Sequence, residues 1–176
     1  EVLPALLQAL NVQEAPWLFG HSDGGSIALL FATRHATAGV IVLAPHIKVE
    51  DISVKSIAIA KETYENTDLR QRLNRYHADV DSAFWGWNRI WLAPEFRNWS
   101  IEHELSSITC PVLAIQGIHD EYGTLAQIRD IQRHVPHTQL LELENCGHSP
   151  HRDQAPTLTQ ACVTFFNAHL SLTPQT

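Results

Sequence analysis

The residue types that could carry chemistry begin with Ser22, which lies in a Gly-x-Ser-x-Gly-Gly sequence after a short apolar segment. A serine on a sharp turn from a strand into a helix exposes its hydroxyl, which can attack a carbonyl carbon. Such a turn leaves little space for side chains, and we expect Gly20, Gly24 and Gly25 to provide that space. We also expect the backbone N–H of Asp23, at the start of the next helix, to stabilise an oxyanion. The alternative is a tight turn whose serine carries no chemistry.

A histidine and a carboxylate that could activate this serine lie later in the chain. Serine is a poor nucleophile until a base accepts its proton, and the base needs a carboxylate to orient it. The spacing after a buried-strand pattern favours Asp120 over Glu121, which we expect to be a solvated loop charge. A preceding glycine favours His148 over His151 as the base, because glycine allows a close backbone approach. The candidate catalytic residues are therefore Ser22, Asp120 and His148.

Short apolar runs predict the strands that must position these residues. The runs lie at residues 17–20, 40–44, 111–117 and 140–143. Helical patterns alternate with them, which is typical of an α/β fold with a mostly parallel sheet and flanking helices. Ser22, Asp120 and His148 each follow a predicted strand. Because reactive groups in such sheets lie beyond the carboxyl ends of the strands, we expect all three to lie together at the carboxyl ends.

The chain between the second and third predicted strands has a different composition. It is polar, charged and helical in pattern, and it holds every tryptophan except Trp17. We expect a helical cap insertion at residues 47–107 and a core formed by residues 1–46 and 108–176. Helices are predicted there at residues 51–64, 67–77 and 81–92, with Asp51, Thr67 and Asp81 as candidate N-caps. Other helices are predicted at residues 3–10, 24–36, 124–134 and 156–170.

Aromatic residues of the insertion could wall a substrate pocket, since ligand pockets are largely apolar and aromatic. The candidate substrate-binding residues are His21, His46, Trp85, Trp87 and Trp91. The aromatic cluster could instead be only the core of the insertion, and His21 could simply pack beside the turn. Asp23 also has two interpretations. Either the helix dipole favours a carboxylate there, or Asp23 faces the pocket and selects a polar or cationic substrate group.

Composition and charge exclude several function classes. The chain has 176 residues, 44% of them hydrophobic, which is enough for one folded domain. A formal net charge of −7 without a basic stripe argues against nucleic acid. No apolar run is long enough to span a membrane, and the cysteines, 3 in number, fit a reducing cytoplasm. We expect a cytoplasmic protein with a small-molecule substrate, no cofactor, no metal, and no nucleic-acid or membrane partner. A homodimer stays an open alternative.

The residues and their order resemble the α/β-hydrolase family, and the resemblance covers the whole chain. Residues 20–25 resemble the family's nucleophile elbow, residues 116–120 the strand and loop that deliver the acid, and residues 145–148 the loop that carries the base. The resemblance implies an acyl-enzyme on Ser22, which water then opens. The sequence has no methionine and lacks counterparts of the family's earlier strands and of the loop that provides the second oxyanion-hole N–H. We therefore expect an N-terminally truncated member.

The expected activity is hydrolysis of an ester, lactone or thioester of a small to medium organic acid. The same apparatus in the family cleaves carbon–carbon bonds of aromatic ring-fission products, and the sequence does not separate the two reactions. A receptor-like binding protein that retains the three residues is an alternative of another class, since a fold does not fix a function. The presence of a serine, an acid and a histidine together favours catalysis.

Overall fold

A parallel sheet of four strands forms the centre of the protein, which is described here from a computed structural model over residues 2–170. The strands are β1 (Trp17–His21), β2 (Gly39–Leu43), β3 (Val112–Gly117) and β4 (Gln139–Leu143). They are arranged in the order β1-β2-β3-β4, and all three pairings are parallel. Parallel neighbours require crossover connections, and helices provide them here. The predicted α/β class is confirmed.

Helices flank the sheet and also fill the long connection between β2 and β3. The helices are α1 (Val2–Ala9), α2 (Asp23–Ala32), α3 (Asp51–Asn66), α4 (Leu69–Leu73), α5 (Val80–Leu92), α6 (Ala126–His134), α7 (Pro150–Asp153) and α8 (Ala155–Leu170). Two 3₁₀ helices, Pro94–Asn98 and Glu102–Ser107, follow α5. Within residues 2–170, no helix is long and apolar enough to cross a membrane.

The two faces of the sheet bury separate apolar clusters. On one face, alternate residues of β2 and β3 such as Val42 and Ala114 pack with side chains of α2 and α6. On the other face, Leu43 and Ile115 pack with Leu158 and Phe165 of α8. Residues of β2 and β3 are buried throughout because helices cover both faces.

Strand β1 differs from the sequence-based expectation of a buried strand. Only Gly20 is buried in it, and the Phe19 side chain is 60% exposed. The reason is position, since β1 pairs with β2 alone and forms one edge of the sheet within the described residues. The apolar sequence therefore predicts the position of the strand correctly but not its burial.

Residues 47–107, the helical segment, contain α3, α4, α5 and both 3₁₀ helices. The predicted N-caps need correction. The cap of α5 is Asp79, whose carboxylate accepts from the Ser82 N–H at 2.9 Å, and Asp81 instead lies in the first turn. Asp51 is already inside α3. Thr67 ends α3, and its Oγ1 also accepts from the N–H of Leu69, the first residue of α4, at 3.2 Å. Acidic residues in a first turn and at an N-cap look alike in sequence, because both favour the positive helix end.

Candidate active site

Three polar side chains converge where strands of the sheet end. Ser22 directly follows β1, Asp120 follows β3, and His148 follows β4. His148 Nε2 lies 2.9 Å from Ser22 Oγ, and His148 Nδ1 lies 2.8 Å from Asp120 Oδ1. These contacts fit an Nδ1–H that donates to the carboxylate and an Nε2 that accepts from the serine hydroxyl. The structure thus brings together the three residues that we call the Ser-His-Asp cluster.

The turn that carries Ser22 has a strained backbone. Ser22 has a φ of 56° and a ψ of −124°, a backbone conformation that residues other than glycine rarely adopt. A Cβ at Gly20 would overlap the carbonyl oxygen of Gly24, and one at Gly25 would lie 2.9 Å from the Cβ of Pro45. A Cβ at Gly24 would meet nothing within 4 Å. Two of the three expected glycines therefore provide the space, and Gly24 is not needed for it.

The carboxylate of Asp120 is buried and held by further donors. Its Oδ2 accepts from Gln116 Nε2 at 3.0 Å, and its Oδ1 accepts from the Tyr122 N–H at 2.8 Å. Glu121, the alternative acid, accepts instead from the backbone N–H of His148 at 3.1 Å. The histidine ring therefore faces Asp120, and its backbone faces Glu121. Glu121 is exposed, as expected for a solvated loop charge, and it also accepts this one backbone hydrogen bond.

Sequence reasoning missed Gln116 as a residue that holds the acid. Its amide also donates to the Gly123 carbonyl at 2.9 Å, so it ties the loop after β3 to the strand. The signal was present, since Gln116 is the polar residue of the otherwise apolar strand β3 and is fully buried. A buried polar side chain requires hydrogen-bond partners, and one partner of Gln116 is the candidate acid, Asp120.

Residues 118–124, the acid loop, are fastened to the beginning of α3. Ser53 Oγ donates to the Tyr122 carbonyl at 2.6 Å, and Ser56 Oγ donates to the Glu121 carbonyl at 2.5 Å. The Glu50 carboxylate accepts from the N–H and the hydroxyl of Thr124 at 2.9 and 2.6 Å. The helical segment therefore helps to fix the loop that carries Asp120.

Two further histidines lie beside the ring of His148. His21 Nε2 donates to the His148 carbonyl at 2.7 Å, and burial lowers the His21 pKa. His151, the alternative base, contacts the ring of His21 at a centroid distance of 5.0 Å and is not part of the Ser-His-Asp cluster. His46 is 3% exposed, and burial lowers its pKa to about 4, so its ring is neutral at pH 7.

His46 lies between the Ser-His-Asp cluster and an aromatic layer. Its ring centroid is 5.8 Å from that of His148 and 4.8 Å from that of Trp91. Its Nδ1 is buried without a hydrogen-bond partner among the described residues. His46 follows β2, so its position beside residues that follow β1, β3 and β4 agrees with the parallel order of the strands.

A cavity of about 290 Å³ lies between α2 and the helical segment, and Asp23, the residue after Ser22, lines it. We call it the aromatic cavity; its lining residues are Asp23, Ser26, Ile27, Leu30, Gly86, Trp87, Ile90, Trp91, Phe96 and Trp99. Among the expected pocket residues, Trp87 and Trp91 line it, and His46 lies behind Trp91. His21 contacts the Ser-His-Asp cluster instead.

Trp85 is not brought to this cavity. It packs edge-on against Tyr64 and Phe84 inside the helical segment, and the Arg89 guanidinium lies 5.2 Å from its ring. Phe96 and Trp99 take part instead, stacked at a centroid distance of 5.2 Å. Composition could single out the aromatic residues but not the side of the helix on which each one lies.

Asp23 faces the aromatic cavity from the first turn of α2. Its Oδ2 accepts from Trp91 Nε1 at 3.3 Å, and burial raises its pKa. Its backbone N–H, at the helix N-terminus immediately after Ser22, stays the predicted oxyanion donor. Within residues 2–170, no group of three or more His, Cys, Asp and Glu side chains is arranged to hold a metal ion.

Comparison with known proteins places this geometry in a family. A model of the alpha/beta hydrolase family matches residues 1–160, whereas no curated protein sequence matches the chain. A carboxylesterase of the thaumarchaeon Nitrososphaera gargenis has a similar structure, with a TM-score of 0.77 and 16% identity over 98% of this chain and 71% of that one. An esterase from Thermogutta terrifontis gives a TM-score of 0.64 and 19% identity over 95% and 70% of the two chains.

The enol-lactonase from Burkholderia xenovorans is also similar, with a TM-score of 0.67 and 20% identity over 94% of this chain and 70% of that one. Identities this low show a shared fold and not a shared substrate. The family match covers most of the chain, and the parallel sheet agrees with it. The chain therefore belongs to the alpha/beta hydrolase family.

Proposed function

We propose that this protein is a serine hydrolase that cleaves an ester, lactone or thioester of a small to medium organic acid. The observation that supports the proposal most is the pair of contacts made by His148, 2.9 Å to Ser22 Oγ and 2.8 Å to Asp120 Oδ1. Both distances are those of hydrogen bonds. A hydroxyl, an imidazole and a carboxylate joined in this order form the arrangement that activates serine for acyl transfer.

In the proposed reaction, Ser22 Oγ attacks the carbonyl carbon of the substrate while His148 Nε2 takes the hydroxyl proton. The tetrahedral intermediate collapses when the bond to the leaving group breaks, and His148 returns the proton to that group. Water then attacks the acyl-enzyme, again with His148 as the base. The released products are the free acid and the alcohol or thiol, or the hydroxy acid from a lactone.

Asp120 has two tasks in this mechanism. Its bond from His148 Nδ1–H fixes the tautomer in which Nε2 can accept a proton, and its negative charge stabilises the imidazolium that forms. The bonds from Gln116 and from the Tyr122 backbone hold the carboxylate in that orientation. The acid is thus oriented before any substrate binds.

We assign stabilisation of the substrate oxyanion to the backbone N–H of Asp23. This N–H follows the nucleophile directly and belongs to the first turn of α2, whose dipole favours negative charge. The solved structures that resemble the chain include a carboxylesterase, an esterase and an enol-lactonase, so we propose ester or lactone cleavage first and test carbon–carbon cleavage against it.

A fluorophosphonate probe, followed by peptide mapping of the labelled residue, tests the nucleophile and the reaction class together. We expect the label on Ser22, with no labelling of Ser22→Ala. Ser106→Ala is the matched control, because Ser106 is exposed in the helical segment and should not affect labelling. A label on another residue would contradict the proposal.

Turnover then separates the alternative functions. A panel of p-nitrophenyl esters of increasing acyl length is compared with a vinylogous diketone, the substrate type of a carbon–carbon hydrolase. Faster cleavage of the esters supports the proposal, and faster cleavage of the diketone replaces it with the alternative chemistry. A labelled Ser22 without turnover of either compound, together with tight ligand binding, would indicate a receptor-like protein.

A further inference from the structure

The aromatic cavity combines aromatic rings with a single carboxylate. The ring centroid of Trp91 lies 5.3 Å from that of Phe96 and 6.2 Å from that of Trp99. Asp23 is the only ionisable residue among those that line the cavity. Apolar walls around one fixed negative charge are a selective environment, because they attract a cation and repel an anion.

The carboxylate of Asp23 has few partners of its own. Trp91 Nε1 donates to it at 3.3 Å, which is long for a hydrogen bond, and Asp23 forms no ion pair in the part of the chain described. His148 acts on it electrostatically, and burial raises its pKa. The N-terminus of α2 offsets part of the cost of burying this charge. Asp23 is half-buried, so its carboxylate is only partly solvated, and a ligand that supplies a cation would compensate this loss.

We propose that the aromatic cavity binds an ammonium group of the substrate, with Asp23 as its counter-charge and the rings of Trp91, Phe96 and Trp99 around it. This inference rests on the proposed hydrolase function, since it names the substrate class for the same site. An ammonium over an aromatic face is attracted by the ring quadrupole, and Trp is the strongest partner. The His46 ring lies 4.8 Å from that of Trp91 and 5.8 Å from that of His148, so the cavity is close to the Ser-His-Asp cluster.

A neutral apolar group of the same size would fill the cavity less favourably. It would bury the rings equally well but would leave the Asp23 carboxylate further desolvated and still unpaired. A substrate with a carboxylate at this end would add repulsion between like charges. The comparison that isolates the proposal is therefore between two probes of equal shape that differ only in charge.

Choline and 3,3-dimethylbutan-1-ol are such a pair, because a quaternary nitrogen replaces a quaternary carbon. Binding of each is measured by tryptophan fluorescence and calorimetry with Ser22→Ala, which cannot form an acyl-enzyme. We expect choline to bind about tenfold more tightly, as one cation–π contact plus one counter-charge would give. Asp23→Asn on the same background should reduce this preference to about threefold, since the aromatic rings remain.

Glu95→Gln is the matched control. It also removes one negative charge from the helical segment, beside Phe96, but Glu95 is exposed and does not line the cavity. The choline preference should persist in this variant. Equal affinities for the two probes, or a preference that Asp23→Asn leaves unchanged, would overturn the inference.

Hydrolysis distinguishes this inference from the proposed function on which it rests. For the native protein, kcat/KM for acetylcholine is compared with that for 3,3-dimethylbutyl acetate. We expect a ratio of about ten in favour of the ammonium ester, reduced to about three in Asp23→Asn. If neither ester is cleaved while choline is still preferred in binding, the hydrolase proposal fails and the ammonium site stands. If both esters are cleaved equally, the hydrolase proposal stands and the ammonium site does not.

Discussion

The Ser-His-Asp cluster and the aromatic cavity lie side by side but are held together by different forces. In the cluster, the Asp120 carboxylate accepts hydrogen bonds from His148 Nδ1–H, from Gln116 of β3 and from the Tyr122 N–H of the acid loop. In the cavity, rings pack against rings, and the long bond between Trp91 and Asp23 joins its polar groups. Hydrogen bonds demand a specific atom at a specific place, whereas packing tolerates exchange of similar shapes. We therefore expect substitutions in the cluster to change the rate and those in the cavity to change the choice of substrate.

The largest expected effect comes from removing the charge of the acid. Asp120→Asn should lower kcat on the order of 10⁴-fold, because an amide no longer stabilises the imidazolium or enforces the tautomer. Glu121→Gln is the comparison, since its side chain meets the backbone of His148 and should cost about tenfold or less. Steady-state kinetics with a p-nitrophenyl ester measures both. Equal losses in the two variants would show that the cluster does not depend on which acid faces the ring.

A smaller but clear effect is expected from the backbone that presents Ser22. Gly20→Ala should destabilise the fold by about 3 kcal/mol, because its Cβ would overlap the carbonyl of Gly24. Gly24→Ala should instead stabilise it by about 0.5–1 kcal/mol, since its Cβ meets open space and alanine favours a helix. Urea unfolding followed by circular dichroism measures both free energies. A loss of stability in Gly24→Ala would contradict this assignment.

The smallest effect concerns His46, which touches both regions. Its pKa is lowered by burial from 6.5 to about 4, so between these values the unfolded chain binds a proton that the folded protein does not. Stability should therefore fall with acid, and His46 should account for roughly 2 kcal/mol between pH 7 and pH 4.5. His46→Phe keeps a ring against Trp91 and should show a smaller decline in urea unfolding over this range. Parallel curves for the two proteins would rule out the assignment.

The sequence was informative where chemistry depends on order along the chain. Ser22, Asp120 and His148 could be placed together because each follows a strand, and parallel strands end at the same edge of a sheet. The same argument places His46 beside them. The change from apolar runs to polar helical patterning after β2 was also visible, and α3, α4 and α5 lie there.

Details that depend on the rotation of a helix or on neighbours in space could not be predicted. Trp85 and Trp87 are two residues apart on α5, so they point to different sides, and only Trp87 reaches the aromatic cavity. Asp79 and Asp81 are equally plausible caps in sequence, and only the fold shows which carboxylate meets a free N–H. Phe19 is exposed because of its place at an edge of the sheet, which its apolar sequence does not reveal.

Because α3 is attached to the acid loop, a movement of α3 that admits substrate would also affect the position of Asp120. Glu50, Ser53 and Ser56 each hold a different backbone or side-chain group of residues 121–124. An outward swing of α3 that admitted a bulky molecule would have to release these four bonds or pull Asp120 away from His148. The protein would then lose its orienting acid while α3 is displaced and regain the bond between Asp120 and His148 when α3 returns.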